Sequence, residues 1–99
     1  MNILAVIPAR YASTRFPGKP LAMVAGTPMI QRVYPRVADA AACQKVVVAT
    51  DDERIAEAVR GFGGHVVMTS EACPNGTVRC HEAVERLEAN GESFDAVLN

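Results

Sequence analysis

Residues 3–8 read Ile3-Leu4-Ala5-Val6-Ile7-Pro8. Five apolar residues in a row, mostly branched, fit a strand buried on both faces, as in a parallel sheet under helices. Pro8 stops it. The loop that follows, residues 8–21, carries Arg10, Arg15 and Lys19 with Ser13 and Thr14 among them and no acidic residue. Pro17-Gly18 marks a turn. Cations on a segment rich in Pro and Gly build neither a core nor a good helix. They read as donors held around a multiply charged anion, with a phosphate chain as the best fit.

Working outward, the chain alternates. Thr27 is a good N-cap and Pro28 suits the first helical position, so a helix is expected from Thr27-Pro28, with Met29, Ile30, Val33, Val37 and Ala40 facing the sheet. Pro35 should kink or split it near Val33-Tyr34. Lys45–Thr50 is a second branched strand. Asp52–Phe62 follows as a helix, with acids at its start, Ile55, Ala56, Val59 and Phe62 on its apolar face, and Gly61, Gly63 and Gly64 at its end. His65–Met68 is a third strand. A polar loop with a Pro74-Asn75-Gly76 turn leads to a helix capped by Asn75 or Thr77 and running to about Ala89, with Ala83, Val84 and Leu87 inward. Phe94–Leu98 begins a fourth strand, and the sequence ends at Asn99.

Strands alternating with helices give βαβ units and right-handed crossovers. The expected fold class is α/β: a Rossmann-like three-layer α/β/α sandwich with a mostly parallel sheet in strand order 3-2-1-4. Functional loops then lie at the carboxyl ends of the strands, in Pro8–Leu21, Thr50-Asp51 and Thr69–Arg79. An end inside the fourth strand leaves no loop after it, so residues 1–99 are expected to be the N-terminal nucleotide-binding part of a longer enzyme.

Composition narrows the class. A chain of 99 residues holds at most one domain. Its formal net charge of −1 makes the basic loop a local patch and argues against a general nucleic-acid surface. The N-terminal apolar run is interrupted by Pro8 and Arg10, too early for a secretory segment. No apolar run has the length of a transmembrane helix. A cytoplasmic protein without membrane partners is expected. Cys43, Cys73 and Cys80 have no CxxC spacing and read as reduced thiols; Cys80-His81 without a second ligand pair is weak evidence for zinc.

Neither GxxxxGK[ST] nor GxGxxG is present, so the basic loop is neither a P-loop nor a dinucleotide fingerprint. It is an anion clamp or a solvated basic loop, and its place at a strand end favours the clamp. Thr50-Asp51-Asp52 serves a metal, a ribose or the helix start, the last being simplest. Ser70 and Asn75-Gly76-Thr77 with Arg79 hold a base, ribose or phosphate, or are only a turn and a cap; Arg79 alone reads equally as a surface arginine. His65 reads as structural. No Ser-His-Asp arrangement can be built, and His81 has no visible catalytic partner.

The segment Ile7-Pro8-Ala9-Arg10-Tyr11-Ala12-Ser13-Thr14-Arg15-Phe16-Pro17-Gly18-Lys19-Pro20-Leu21 resembles the signature of the 3-deoxy-manno-octulosonate cytidylyltransferases, also called CMP-Kdo synthetases. Val48-Ala49-Thr50-Asp51-Asp52, Val67-Met68-Thr69-Ser70 and Asn75-Gly76-Thr77-Val78-Arg79 resemble the family's next segments in the same order. The resemblance implies a nucleotidyltransferase fold and an enzyme that activates the acid sugar Kdo with CTP. The products are CMP-Kdo, for lipopolysaccharide synthesis, and pyrophosphate. The sugar hydroxyl attacks the α-phosphate with Mg2+ required. By the same resemblance Arg10 and Lys19 are the catalytic cations and, with Arg15, hold the triphosphate. Ala9 and Ser13 line the nucleotide site, and Ser70, Gly76, Thr77 and Arg79 approach the cytidine.

Two residues depart from the family: Val78 stands where Asp or Glu is usual, and Cys73 where His is common. The family is also longer. Its Gln-Gly-Asp-Glu-Pro segment with the main metal ligand, most of the sugar site and the dimer interface are expected past Asn99, so no metal ligand is assigned within the chain. A cytidylyltransferase for another acid sugar such as sialic acid, or a non-catalytic nucleotide-binding module, are the alternatives.

Overall fold

A computed structural model describes residues 3–11, 19–24, 26–40, 45–73 and 75–98. Four parallel strands form its centre: β1 (Ile3–Pro8), β4 (Lys45–Thr50), β5 (His65–Met68) and β6 (Ala96–Leu98). They lie in the order β5-β4-β1-β6, the 3-2-1-4 order expected when the small hairpin β2 (Met23–Val24) and β3 (Thr27–Pro28) is set aside. Register pairs Val6 with Val47 and Val48 with Val66.

The strands are apolar on both faces because both are covered. Leu4, Val6, Val47 and Ala49 pack against Cys80, Ala83 and Leu87 of α3 (Gly76–Ala89). Val48 and Ala9 pack on the other side against Ile30 of α1 (Met29–Ala40) and Ile55 and Val59 of α2 (Glu53–Gly61). Burying one such aliphatic side chain stabilises by about 2 kcal/mol.

The helix ends follow local chemistry. Asp52 caps α2, its carboxylate accepting from the Arg54 and Ile55 N–H groups; Asn75 caps α3 through the Val78 N–H. Both helices close with glycine in the left-handed region, Gly63 (φ 84°) and Gly91 (φ 91°). Gly64 N–H donates to Val59 O and Gly63 N–H to Arg60 O, the paired bonds of a Schellman ending.

Helix α1 departs from expectation twice. It begins at Met29, because Thr27 and Pro28 pair antiparallel with Val24 and Met23. The Met29 N–H donates to Ala22 O, so the hairpin meets the need that a Thr27 cap would have met. Nor is α1 split at Pro35, which lies inside it. Pro35 and Gln31 are both exposed, so the carbonyl that loses its partner lies on the solvent side.

Candidate functional site

The carboxyl ends of β1, β4 and β5 meet at a cavity of about 340 Å³ lined by Arg10, Tyr11, Asp51, Asp52, Arg54, Glu71, Cys73 and Arg79. Each strand delivers its contribution where it stops. Ala9 extends the β1–β4 ladder by donating its N–H to Ala49 O at 2.9 Å, and this aims the next residues, Arg10 and Tyr11, off the sheet. Thr69 does the same on the other side, donating to Thr50 O at 2.9 Å.

On the α2 side the wall is a stack. The Arg54 guanidinium lies 3.3 Å from the centre of the Tyr11 ring and is gripped by Asp52 through Nε (3.2 Å) and Nη2 (2.8 Å). The neighbouring guanidinium, helped by the backbone N–H groups of α2, holds the Asp52 carboxyl below its ordinary range against an opposing cost of burial. Asp52 is thus spent on capping and on Arg54, the simplest of the roles weighed for it.

On the α3 side the wall is a buried cation. Arg79 is 1% exposed, which excludes the surface-arginine reading. Its Nη1 donates to Thr69 Oγ1 at 2.6 Å and to Ser70 O at 3.3 Å, and lies 3.8 Å from Asp51 Oδ1. Its Nε is buried and has no hydrogen-bond partner among the described residues. Cys73 is buried beside it, its Sγ 3.5 Å from Glu82 Oε1. Burial first, then the Glu82 carboxylate, push that thiol up; burial also raises Cys80. Both are free thiols rather than disulfide partners; Cys43 lies outside the described residues.

The site residues read from the sequence divide as follows. Arg10 and Arg79 line one cavity. Ser70 sits behind its rim, its Oγ accepting from the Ala72 N–H at 3.1 Å. Ala9 is buried under the site. Gly76 opens α3 against the end of β1: a Cβ there would lie 3.3 Å from Pro8 Cγ. Thr77 is exposed and is not part of the cavity wall. Lys19 opens a short 3-10 turn, Lys19–Leu21; its side chain, with Ser13 and Arg15, lies outside the described residues. Tyr11, Arg54 and Glu71 on the wall, and Glu82 behind it, were not singled out by the sequence. Only Arg54, two residues after a capping Asp, carried a local signal.

The donor set does not assemble a metal centre. Among the described residues no group of three His, Cys, Asp or Glu side chains is placed to hold one. His81 is turned to Glu85 on the surface, 3.1 Å away, and Cys80 faces the core.

Residues 4–99 match the model of a family described as Cytidylyltransferase. The chain belongs to the cytidylyltransferase family. It is 57% identical over 98 residues to the mitochondrial 3-deoxy-manno-octulosonate cytidylyltransferase of Arabidopsis thaliana, covering 99% of this chain and 33% of that protein. It is 62% identical over 89 residues to the 3-deoxy-manno-octulosonate cytidylyltransferase of Geobacter sulfurreducens, covering 90% and 36%. Among solved structures it is similar to a CMP:2-keto-3-deoxy-manno-octonic acid synthetase complexed with CTP, with a TM-score of 0.83 and 43% identity over 99% of this chain and 39% of that one. This cytidylyltransferase chain therefore spans roughly a third to two-fifths of the length of these relatives. No helix among its described residues is long and apolar enough to cross a membrane.

Proposed function

We propose that this chain supplies the CTP-binding side of an enzyme that joins CMP to Kdo. In that reaction the sugar hydroxyl oxygen forms a bond to the α-phosphorus of CTP, the bond to the β-phosphate bridge breaks, and pyrophosphate leaves. Phosphoryl chemistry of this kind demands positioning and charge neutralisation more than covalent catalysis. The names of the relatives and the CTP in the similar structure support the choice of substrates.

The observation that carries the reading is the division of charge between cavity and loop. Among the described residues the cavity wall has three arginines, Arg10, Arg54 and Arg79, against three carboxylates, Asp51, Asp52 and Glu71. Such a balanced wall has little net pull on a polyanion and suits the uncharged base and ribose. The loop that continues in sequence from the end of β1 carries Arg10, Arg15 and Lys19 and no acid, and suits the triphosphate. Arg10 stands at the junction. On this reading Arg10, Arg15 and Lys19 clamp the phosphates with Arg10 and Lys19 as the catalytic cations, Ala9 and Ser13 border the nucleotide, and Arg79 faces the cytidine from the cavity wall, with Ser70, Gly76 and Thr77 beyond that wall on the same side. The Mg2+ that the resemblance implies finds no ready-made cluster among the described residues, so no step is assigned to it. A cytoplasmic location and a homodimer complete the proposal.

Pyrophosphate release by the complete gene product, with CTP and with Kdo or sialic acid as acceptor, tests it. Release with Kdo supports the reading, and release with sialic acid alone moves the enzyme to another acid sugar. CTP binding in calorimetry without release with either sugar leaves a binding module. Arg10→Ala should lower turnover by roughly a hundredfold, the usual effect of losing one transition-state donor.

A further inference from the structure

Two side chains of α3, three residues apart on one face, hold both sides of a single residue in the loop before it. The Ser70 N–H donates to Glu82 Oε2 at 2.7 Å, and the Ser70 carbonyl accepts from Arg79 Nη1 at 3.3 Å. The same carbonyl closes a turn by accepting the Cys73 N–H at 3.4 Å, and the Cys73 thiol is directed at Glu82 Oε1, 3.5 Å away. Glu82 therefore touches the first and last residues of the turn 70–73. Two members of that turn, Glu71 and Cys73, form part of the cavity wall.

We propose that Glu82 is a positioning residue for nucleotide binding: it fixes the turn 70–73, and through it the α3-side wall of the cavity, by accepting the Ser70 N–H. The inference rests on the CTP reading above. Glu82 does not line the cavity itself, so its influence on a ligand passes through the turn. The contact holds best with the carboxylate ionised, and the Ser70 N–H, the largest influence on it, together with Arg86 keeps the Glu82 carboxyl below its ordinary range. Arg86 Nε also donates to Oε2, at 2.9 Å, from the next turn of the helix. That pair holds the same oxygen that accepts the Ser70 N–H, so Arg86 steadies Glu82 from within α3 without itself touching the loop, and its loss should act only through Glu82.

The test is calorimetric titration with CTP of the wild type, Glu82→Ala, Glu82→Gln, Glu82→Asp and Arg86→Ala, with amide hydrogen exchange at Ser70 measured on the same samples. Glu82→Ala should weaken CTP binding about tenfold and speed Ser70 exchange by about as much, since it leaves the N–H without its acceptor. Glu82→Gln keeps an acceptor oxygen at the same reach and should stay within about threefold of wild type. Glu82→Asp falls one methylene short and should lose more than Glu82→Gln. Arg86→Ala leaves the acceptor oxygen in place and should lose clearly less than Glu82→Ala.

Wild-type affinity in Glu82→Ala alongside fast Ser70 exchange overturns the inference. So does an equal loss in Arg86→Ala. If Glu82→Ala does not fold, the order of the Gln and Asp variants decides, and Asp binding better than Gln overturns it. A wild type that does not bind CTP overturns the nucleotide reading and this inference with it, whereas wild-type binding with indifferent Glu82 variants overturns this inference alone.

Discussion

Arg79→Met is the most informative single perturbation of this fold, because it keeps most of the side-chain length and removes the guanidinium. Arg79 is 1% exposed, so water cannot replace what is lost. One strong bond, to Thr69 Oγ1 at 2.6 Å, and one long one, to Ser70 O at 3.3 Å, disappear. Hydrogen bonds to a charged donor contribute about 1.5–3 kcal/mol when good, so the two together are worth about 3 kcal/mol. The Asp51 carboxylate, 3.8 Å away, attracts the cation by about 4 kcal/mol before desolvation at an effective dielectric near 20. Keeping a guanidinium out of water cancels most of that. Relief of the buried Nε, which has no hydrogen-bond partner among the described residues, returns about 1 kcal/mol. The balance is a loss of about 2 kcal/mol, a large part of the about 5–15 kcal/mol available to a small domain. In urea the unfolding midpoint should fall by about 1–2 M with an unchanged slope. Arg79→Lys keeps the charge but not the fork and should lose about half as much. Crossing Arg79→Met with Thr69→Val should give a coupling of about 1.5 kcal/mol. A midpoint for Arg79→Met at or above wild type, or strict additivity in the cycle, would refute the assignment of Arg79 as the tie between α3 and the loop after β5.

Three further outcomes are expected. Gly64→Ala should destabilise by about 1–3 kcal/mol through overpacking, because its Cβ would lie 2.9 Å from both Val59 Cγ1 and Phe62 Cε1; a thermal midpoint within 1 °C or so of wild type would contradict the close approach. Tyr34→Phe removes a hydroxyl that donates to Val46 O at 2.8 Å and accepts the His65 N–H at 3.2 Å, and should cost about 1 kcal/mol in urea unfolding while keeping the edge-on packing of ring 34 against Phe62, whose ring centres lie 5.5 Å apart. The third concerns acid. The Asp52 carboxyl is held below its ordinary value of 3.8 in the folded state, so it binds protons less readily folded than unfolded. Its stabilisation is full above that value and is lost as pH falls through the lower folded one. Melting curves between about pH 6 and pH 2 should therefore converge for wild type and Asp52→Asn at the acid end; a constant gap at every pH would rule the carboxylate out as the cause.

Much of this architecture was legible because the deciding signals are local. Ile3–Ile7 and Lys45–Thr50 are too continuously branched and apolar for a surface strand, and the helices between them force parallel crossovers. Asp52 and Asn75 announce the starts of α2 and α3, and Gly63 and Gly91 their ends. The beginning of α1 was not legible for the complementary reason. Thr27-Pro28 is an equally good helix start and hairpin arm, and the choice was made by Met23-Val24, whose pairing has no signature in so short a segment. That Pro35 would not split α1 was not legible, because its cost depends on where the freed carbonyl points, and exposure of a helix face is a tertiary property.

The candidate site divides along the same line. Arg10 could be read because a cation following a buried strand has little structural use. Arg79 could be named only as a candidate with a surface arginine as its equal, because a lone arginine in the first turn of an amphipathic helix looks solvated until the sheet order brings Thr69 and Asp51 to it from β5 and β4. Glu82 was less legible still. In sequence its visible partner is Arg86, one helical turn on, while the contact proposed to act on the nucleotide is a backbone N–H twelve residues earlier. Backbone donors carry no residue code, so a side chain that works by holding main chain leaves no motif. A strand-end cation such as Arg10 can be found by reading, but a residue of α3 that holds the turn 70–73 must be found by measuring which main-chain groups it holds.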